Sequence, residues 1–200
     1  MKRIVRASAF ALLVCVAPAG AEGTADPAAA SVQNFYDVLT ASMKAGGSAK
    51  SRFDKLKPAI EQDFDLPGMT ALSVGPSWAS ISAADQKVLT DAFERMTIAN
   101  YARNFSSYGG EKFTVDPVVA QRGTDKFVKS SMKLASGDAT AFNYRLHQAG
   151  DNWKILDVFL AGNISTMAQK RADFSATLAS GGPQGLAKKI DALADQQLNG

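Results

Sequence analysis

The chain has 200 residues, 46% of them hydrophobic and 20% charged, with one Cys and one His. That length supports one sizeable core, and 11 Phe with 2 Trp are too many apolar anchors for a disordered chain. Collagen, coiled-coil and disulfide-scaffold classes are excluded, and the net charge of +3 turns out to be local.

Lys2, Arg3 and Arg6 precede the apolar run Ala7 to Val16 and then Ala19-Gly20-Ala21. A basic start, a short apolar stretch and small residues before a cut define a secretory signal peptide, residues 1–21. Its removal leaves as many basic as acidic side chains in one domain, residues 22–200, so nothing argues for a nucleic-acid partner. Val14 stands before Cys15 where a lipoprotein signal needs a small residue. Cys15 therefore leaves with the signal, and the exported chain has no thiol chemistry. No later segment approaches about 18 uninterrupted apolar residues, so stable membrane insertion is not expected.

Asp26-Pro27 forms an N-cap and first-turn pair for a helix carrying Val32, Phe35, Tyr36, Leu39 and Met43, stopped by Gly46-Gly47. A second helical pattern holds Phe53, Leu56, Ile60 and Phe64, with Pro58 expected to kink or restart it. Leu66-Pro67 opens a short helix with Met69 and Leu72, closed by Gly75-Pro76. Ser82 with Asp85 caps a long helix whose stripe runs Val88, Leu89, Ala92, Phe93, Met96, Tyr101 and Phe105, before Gly109-Gly110.

From Lys112 the apolar period changes to two, predicting strands near 112–120, 126–134, 139–148 and 152–160. Their turns are Gly123-Thr124, Ser136-Gly137-Asp138 and Ala149-Gly150-Asp151. Two helices follow, one with Met167, Arg171, Phe174 and Leu178, the other with Leu186, Ile190 and Leu193 after Gly181-Gly182-Pro183. The expected fold class is α+β: N-terminal helices, a four-stranded antiparallel meander forming a curved sheet, and two C-terminal helices, with an apolar cavity between sheet and helices.

A tight turn pairing Gln148 with Trp153 sets Leu146 opposite Ile155, Tyr144 opposite Asp157 and Phe142 opposite Phe159. In the preceding hairpin a three-residue loop, Ser136-Gly137-Asp138, aligns Met132 with Phe142, Ser130 with Tyr144 and Val128 with Leu146. The result is one apolar face carrying a lone carboxylate. Such a face either collapses into a filled core, as in a plain docking subunit, or stays partly open as a pocket.

Catalytic constellations are thin. His147 belongs on the opposite face beside Lys154, with no Cys or carboxylate cluster to make it a metal ligand, and no cofactor motif or nucleophile elbow occurs. Asp157 admits two readings. It is a general base in a hydrophobic cone, making the protein a small-molecule isomerase or dehydratase, or it is a satisfied carboxylate that orients its strand or meets a polar headgroup.

The run Phe64-Asp65-Leu66-Pro67-Gly68-Met69 through Val74-Gly75-Pro76-Ser77-Trp78, then Phe93-Glu94-Arg95-Met96-Thr97, Tyr101-Ala102 and Phe105, resembles the MlaC-type periplasmic lipid-binding proteins, the toluene-tolerance auxiliary components. Tyr144-Arg145-Leu146, Trp153-Lys154-Ile155-Leu156-Asp157-Val158 and Arg171-Ala172-Asp173-Phe174 resemble the same family. Ala161-Gly162-Asn163-Ile164-Ser165 and Lys170-Arg171 look closer to its hopanoid-associated HpnM branch than to the phospholipid shuttles.

The resemblance implies a non-enzymatic periplasmic carrier without cofactor or metal. It implies ferrying of a membrane lipid, phospholipid or hopanoid, between an inner-membrane ABC-transporter complex and an outer-membrane lipid partner. Residues of the apolar face then become candidates for the cavity wall: Val128, Met132, Phe142, Tyr144, Leu146, Ile155 and Phe159, with Met96 and Phe105 from the long helix. Gly46-Gly47, Gly75-Pro76 and Gly181-Gly182 are candidate hinges for opening the cavity.

Overall fold

The computed structural model of the protein describes residues 25–199. The expected signal peptide, residues 1–21 with Cys15, lies outside them.

Helix α1, Pro27–Ala45, begins where the Asp26 side chain accepts the Ala28 amide, and it buries Val32, Phe35, Tyr36, Leu39 and Met43. Gly46, at φ 63°, ends it in a conformation that costs a residue with a Cβ. Helix α2, Ala49–Asp63, contains Pro58 without being divided by it. Helix α3, Leu66–Val74, is capped by Asp65 accepting from the Gly68 amide, and a short 3₁₀ turn, Gly75–Ser80, follows. Helix α4, Ala83–Asn104, carries the expected reciprocal cap: Ser82 Oγ accepts the Asp85 amide at 3.1 Å and donates to Asp85 Oδ2 at 2.8 Å. Val88, expected on its apolar stripe, is exposed.

The sheet has seven strands among the described residues, not four. The first expected strand divides into β1, Lys112–Val115, and β2, Ala120–Arg122, around Pro117, which has no amide to give a ladder. Its partner divides opposite it into β3, Asp125–Val128, and β4, Ser130–Lys133. The long strand β5, Ala139–Ala149, pairs with both β3 and β4 on one side and with β6, Asn152–Leu160, on the other. A short β7, Ile164–Ser165, pairs with β6 after a tight turn. The pairings among these strands are antiparallel.

Helix α5, Thr166–Asn199, is broken at Gly182, φ 62°, just before Pro183, so the two expected C-terminal helices are its two arms.

Register decides which side chains reach the interior. Gln148 does pair with Trp153, and Leu146 with Ile155, but an irregularity between Arg145 and Leu146 makes Leu156 an extra residue on β6. Beyond it Tyr144 faces Val158, Arg145 faces Asp157 and Phe142 faces Leu160. The slip therefore corrects two expectations at once: Asp157 and Phe159 move to the opposite face, and Val158 and Leu160 replace them. The bulge lies where the linker between α2 and α3 crosses the edge of β6, with the Asp65 amide donating to the Ile155 carbonyl at 2.9 Å.

In the β4–β5 hairpin the loop has the expected three residues, but it is Ala135-Ser136-Gly137, because the Leu134 amide bonds the Asp138 carbonyl at 2.8 Å. Gly137, at φ 101°, takes the left-handed position that such a loop requires. Val128 consequently faces Tyr144 rather than Leu146, and Met132 faces Thr140 rather than Phe142. The expected faces survive this two-residue shift.

Helix α1 lies against the sheet, with Ser31 Oγ donating to the Trp153 carbonyl at 2.9 Å. Helix α4 packs along α5 and α2, and α3 against α5. The buried Arg52 joins the helical layer to itself, donating to the Ala102 carbonyl at 2.7 Å and the Gly47 carbonyl at 2.5 Å.

Candidate functional site: an apolar cavity between sheet and helices

A cavity of about 480 Å³ opens between α1, α3, α4, the first turns of α5 and the inner face of the sheet. Its inner wall is buried and apolar: Leu39, Phe64, Met69, Phe93, Met96, Val158 and Met167. One side is a run of rings. Tyr36 stacks on Phe113 with centroids 4.5 Å apart, Phe105 on Tyr101 at 5.9 Å, and Tyr101 meets Phe64 edge-on at 5.8 Å.

Three tyrosines, Tyr36, Tyr101 and Tyr144, bring hydroxyls to a wall that is otherwise apolar apart from Thr97. Tyr36 is tied to Ser130 Oγ at 2.6 Å, and Ser130 donates to the Phe142 carbonyl. Burial raises the pKa of all three, and proximity to the other tyrosines raises Tyr101 and Tyr144 further, so each remains neutral. The wall thus offers dipoles without charge.

The mouth differs in chemistry. Exposed or half-exposed Asn100, Asn104, Leu160, Thr166, Gln169, Lys170 and Asp173 surround it. Lys170 and Asp173, one turn apart on α5, bring the charges found there among the described residues.

Of the wall candidates read from the sequence, the structure gathers Met96, Phe105, Phe142 and Tyr144 on the cavity. Val128, Leu146 and Ile155 are fully buried in the core beneath, outside the cavity lining. Met132 stands beside Phe113 in the ladder and does not line the cavity. Phe159 packs on Phe127 on the other face, 6.3 Å between centroids.

Asp157 does not line the cavity. It is buried and accepts from the Val158 amide at 2.8 Å, Ser165 Oγ at 2.5 Å, Thr166 Oγ1 at 3.2 Å and the Met167 amide at 3.2 Å. It fastens the N-terminus of α5 to β6. His147 pairs with Lys154 in register as expected, and its Nε2 lies 2.8 Å from Asp65 Oδ2. Among the described residues no three His, Cys, Asp or Glu side chains gather as a metal site.

Sequence reasoning missed the contribution of α1 and α5. Tyr36 and Leu39 repeat at helical spacing, which marks a buried stripe but not whether it faces core or cavity. Thr166, Gln169, Lys170 and Asp173 carry no apolar signal at all.

The matching family model decides the relationship: that of the MlaC protein, over residues 30–192. The chain belongs to the MlaC family. Among curated protein sequences none matches it. A solved structure of a phospholipid-binding protein from Ralstonia solanacearum, in complex with a phospholipid, matches 86% of this chain and 99% of its own at 22% identity and a TM-score of 0.75. At that identity the likeness establishes a shared fold for this MlaC-family chain.

Proposed function

We propose that this MlaC-family protein is a periplasmic lipid carrier, exported by residues 1–21, that takes the hydrocarbon of a membrane lipid into the cavity and passes it between inner- and outer-membrane transport partners. The cavity carries the reading: about 480 Å³ walled by aliphatic and aromatic side chains and open at a polar rim. The phospholipid complex of a protein with the same fold supports it.

An engineered cavity of about 150 Å³ accommodates benzene, about 25 Å³ per carbon, so the present space takes roughly 19 carbons. Hiding that many methylenes from water is worth about 15 kcal/mol at about 0.8 kcal/mol each. One acyl chain fits this space, as does much of a flat polycyclic skeleton. A two-chain lipid requires the walls to part, and the break at Gly182 in α5 is the hinge proposed for it. Among the described residues no helix is long and apolar enough to cross a membrane.

Denaturing extraction of the purified protein followed by mass spectrometry of the released lipid tests the proposal. Recovery of a stoichiometric phospholipid or hopanoid is expected, and the mass tells the two apart. A protein that yields no lipid and takes none from vesicles would refute it.

A further inference from the structure

We propose that Lys170 and Asp173 form a headgroup subsite for a zwitterionic phospholipid, Lys170 pairing with the phosphate and Asp173 with a headgroup ammonium. The inference rests on the carrier reading and narrows it to a substrate class.

Both residues lie on the cavity lining, where among the described residues the other polar neighbours at the mouth are neutral: Asn100, Asn104, Thr166 and Gln169. Lys170 is half-buried, yet among the described residues no carboxylate comes within ion-pair distance of it. Its ammonium sits 6.0 Å from the centroid of the Phe174 ring. Burial pulls the Lys170 pKa down, and the charge of Asp173 only partly restores it. A cation so placed gains from an incoming anion what the protein does not supply.

Two amides of the neighbouring helix end are not free for that anion. In the first turn of α5 the Met167 amide donates to Asp157 and the Ala168 amide to Ser165 Oγ. Asp173 in turn makes no side-chain ion pair among the described residues and stands exposed one turn beyond Lys170, the Lys189 ammonium donating to its backbone carbonyl at 2.9 Å. With the chain in the cavity, a phosphate at Lys170 puts a short amine-bearing substituent beside Asp173. A headgroup with no cation brings the phosphate's charge to that carboxylate uncompensated.

The test uses native mass spectrometry of the mature protein with three single-chain probes of one chain length: lysophosphatidylethanolamine, lysophosphatidylglycerol and the corresponding fatty alcohol. The wild type is expected to favour the ethanolamine probe. In K170Q the affinity of both phosphate probes relative to the alcohol falls roughly tenfold, the size of one charge-assisted hydrogen bond, and K170R restores most of it. In D173N the preference for ethanolamine over glycerol disappears. Excess inorganic phosphate leaves loading unchanged, because it has no chain to bury.

Equal ratios in K170Q and wild type would overturn the subsite while leaving the carrier intact. Displacement by inorganic phosphate would assign Lys170 to a free anion instead. Failure of the wild type to bind any of the three probes would remove the carrier reading and the subsite together.

Discussion

Replacing Asp157 by Ala separates a structural carboxylate from a catalytic one. The substitution leaves the buried amides of Val158 and Met167 without their side-chain acceptor and frees the hydroxyls of Ser165 and Thr166. Losing a helix-terminal acceptor costs about 1 kcal/mol and an unmade buried donor about 1–3 kcal/mol, so about 3 kcal/mol of stability should go. For a domain of this size that is a fall in Tm of roughly 6–12 °C.

Asp157→Asn keeps one acceptor oxygen and should lose about half as much. Calorimetry and urea unfolding with an unchanged m-value are the measurements. Because the first turns of α5 carry Met167 and Lys170 to the cavity, the folded D157A protein should also release lipid faster. A D157A protein within about 0.5 kcal/mol of wild type would refute the reasoning, since that is the range of an indifferent surface change.

Thr97 is a buried lining residue on α4, and Thr97→Trp should fill part of the cavity and cut lipid loading several-fold, read by extraction and mass spectrometry, with the circular dichroism of the fold retained. Two carboxylates should respond to acid in opposite directions. Burial pushes Asp26 up, but the hydrogen bond from Lys126, the Ala28 amide and the Lys126 charge together hold it below its usual value. Its contribution is therefore present above the ordinary carboxylate pKa and is lost as pH falls through the depressed one, and Asp26→Asn should flatten the acid limb of a stability–pH curve. Burial raises Asp63 against the hydrogen bond from Asn34 and the charge of Lys154, so its ionised form is a penalty relieved as pH falls through the raised value. Asp63→Asn should raise the unfolding midpoint at neutral pH and have no such effect in acid.

Elements signalled by local chemistry were legible in the sequence: Asp26-Pro27, Ser82 with Asp85 and Gly75 each stand where the structure starts or stops a helix. Face parity in the β4–β5 hairpin was legible too, because a two-residue sliding keeps Val128, Ser130 and Tyr144 on the same side. The Leu156 bulge was not. It depends on the Asp65 amide reaching Ile155 from a linker 90 residues away, a tertiary contact that alternation within one hairpin cannot encode. That single slip exchanged Asp157 for Val158 and Phe159 for Leu160, and with them the reading of the carboxylate. Core and cavity wall were likewise indistinguishable, since Leu146 and Tyr144 obey the same alternation yet only Tyr144 borders the hollow.

A hollow of this size needs a physical reason to persist. At about 24 cal/mol per Å³, a sealed empty space of about 480 Å³ would cost about 12 kcal/mol, comparable to the whole stability of a domain. Two features oppose collapse: the rings that form the wall are themselves backed, Phe64 by Phe35 at 4.9 Å and Tyr36 by its Ser130 bond, and the open mouth lets water share the space. Water against an apolar wall only moderates the cost, so hydrocarbon in the cavity should stabilise the fold as well as being sheltered by it. Protein stripped of lipid by detergent exchange should melt several degrees below the loaded form, and adding a single-chain amphiphile should restore the difference in a saturable manner. If stripped and loaded protein melt together, the cavity closes at no cost when empty, and the rigidity inferred for its aromatic wall is wrong.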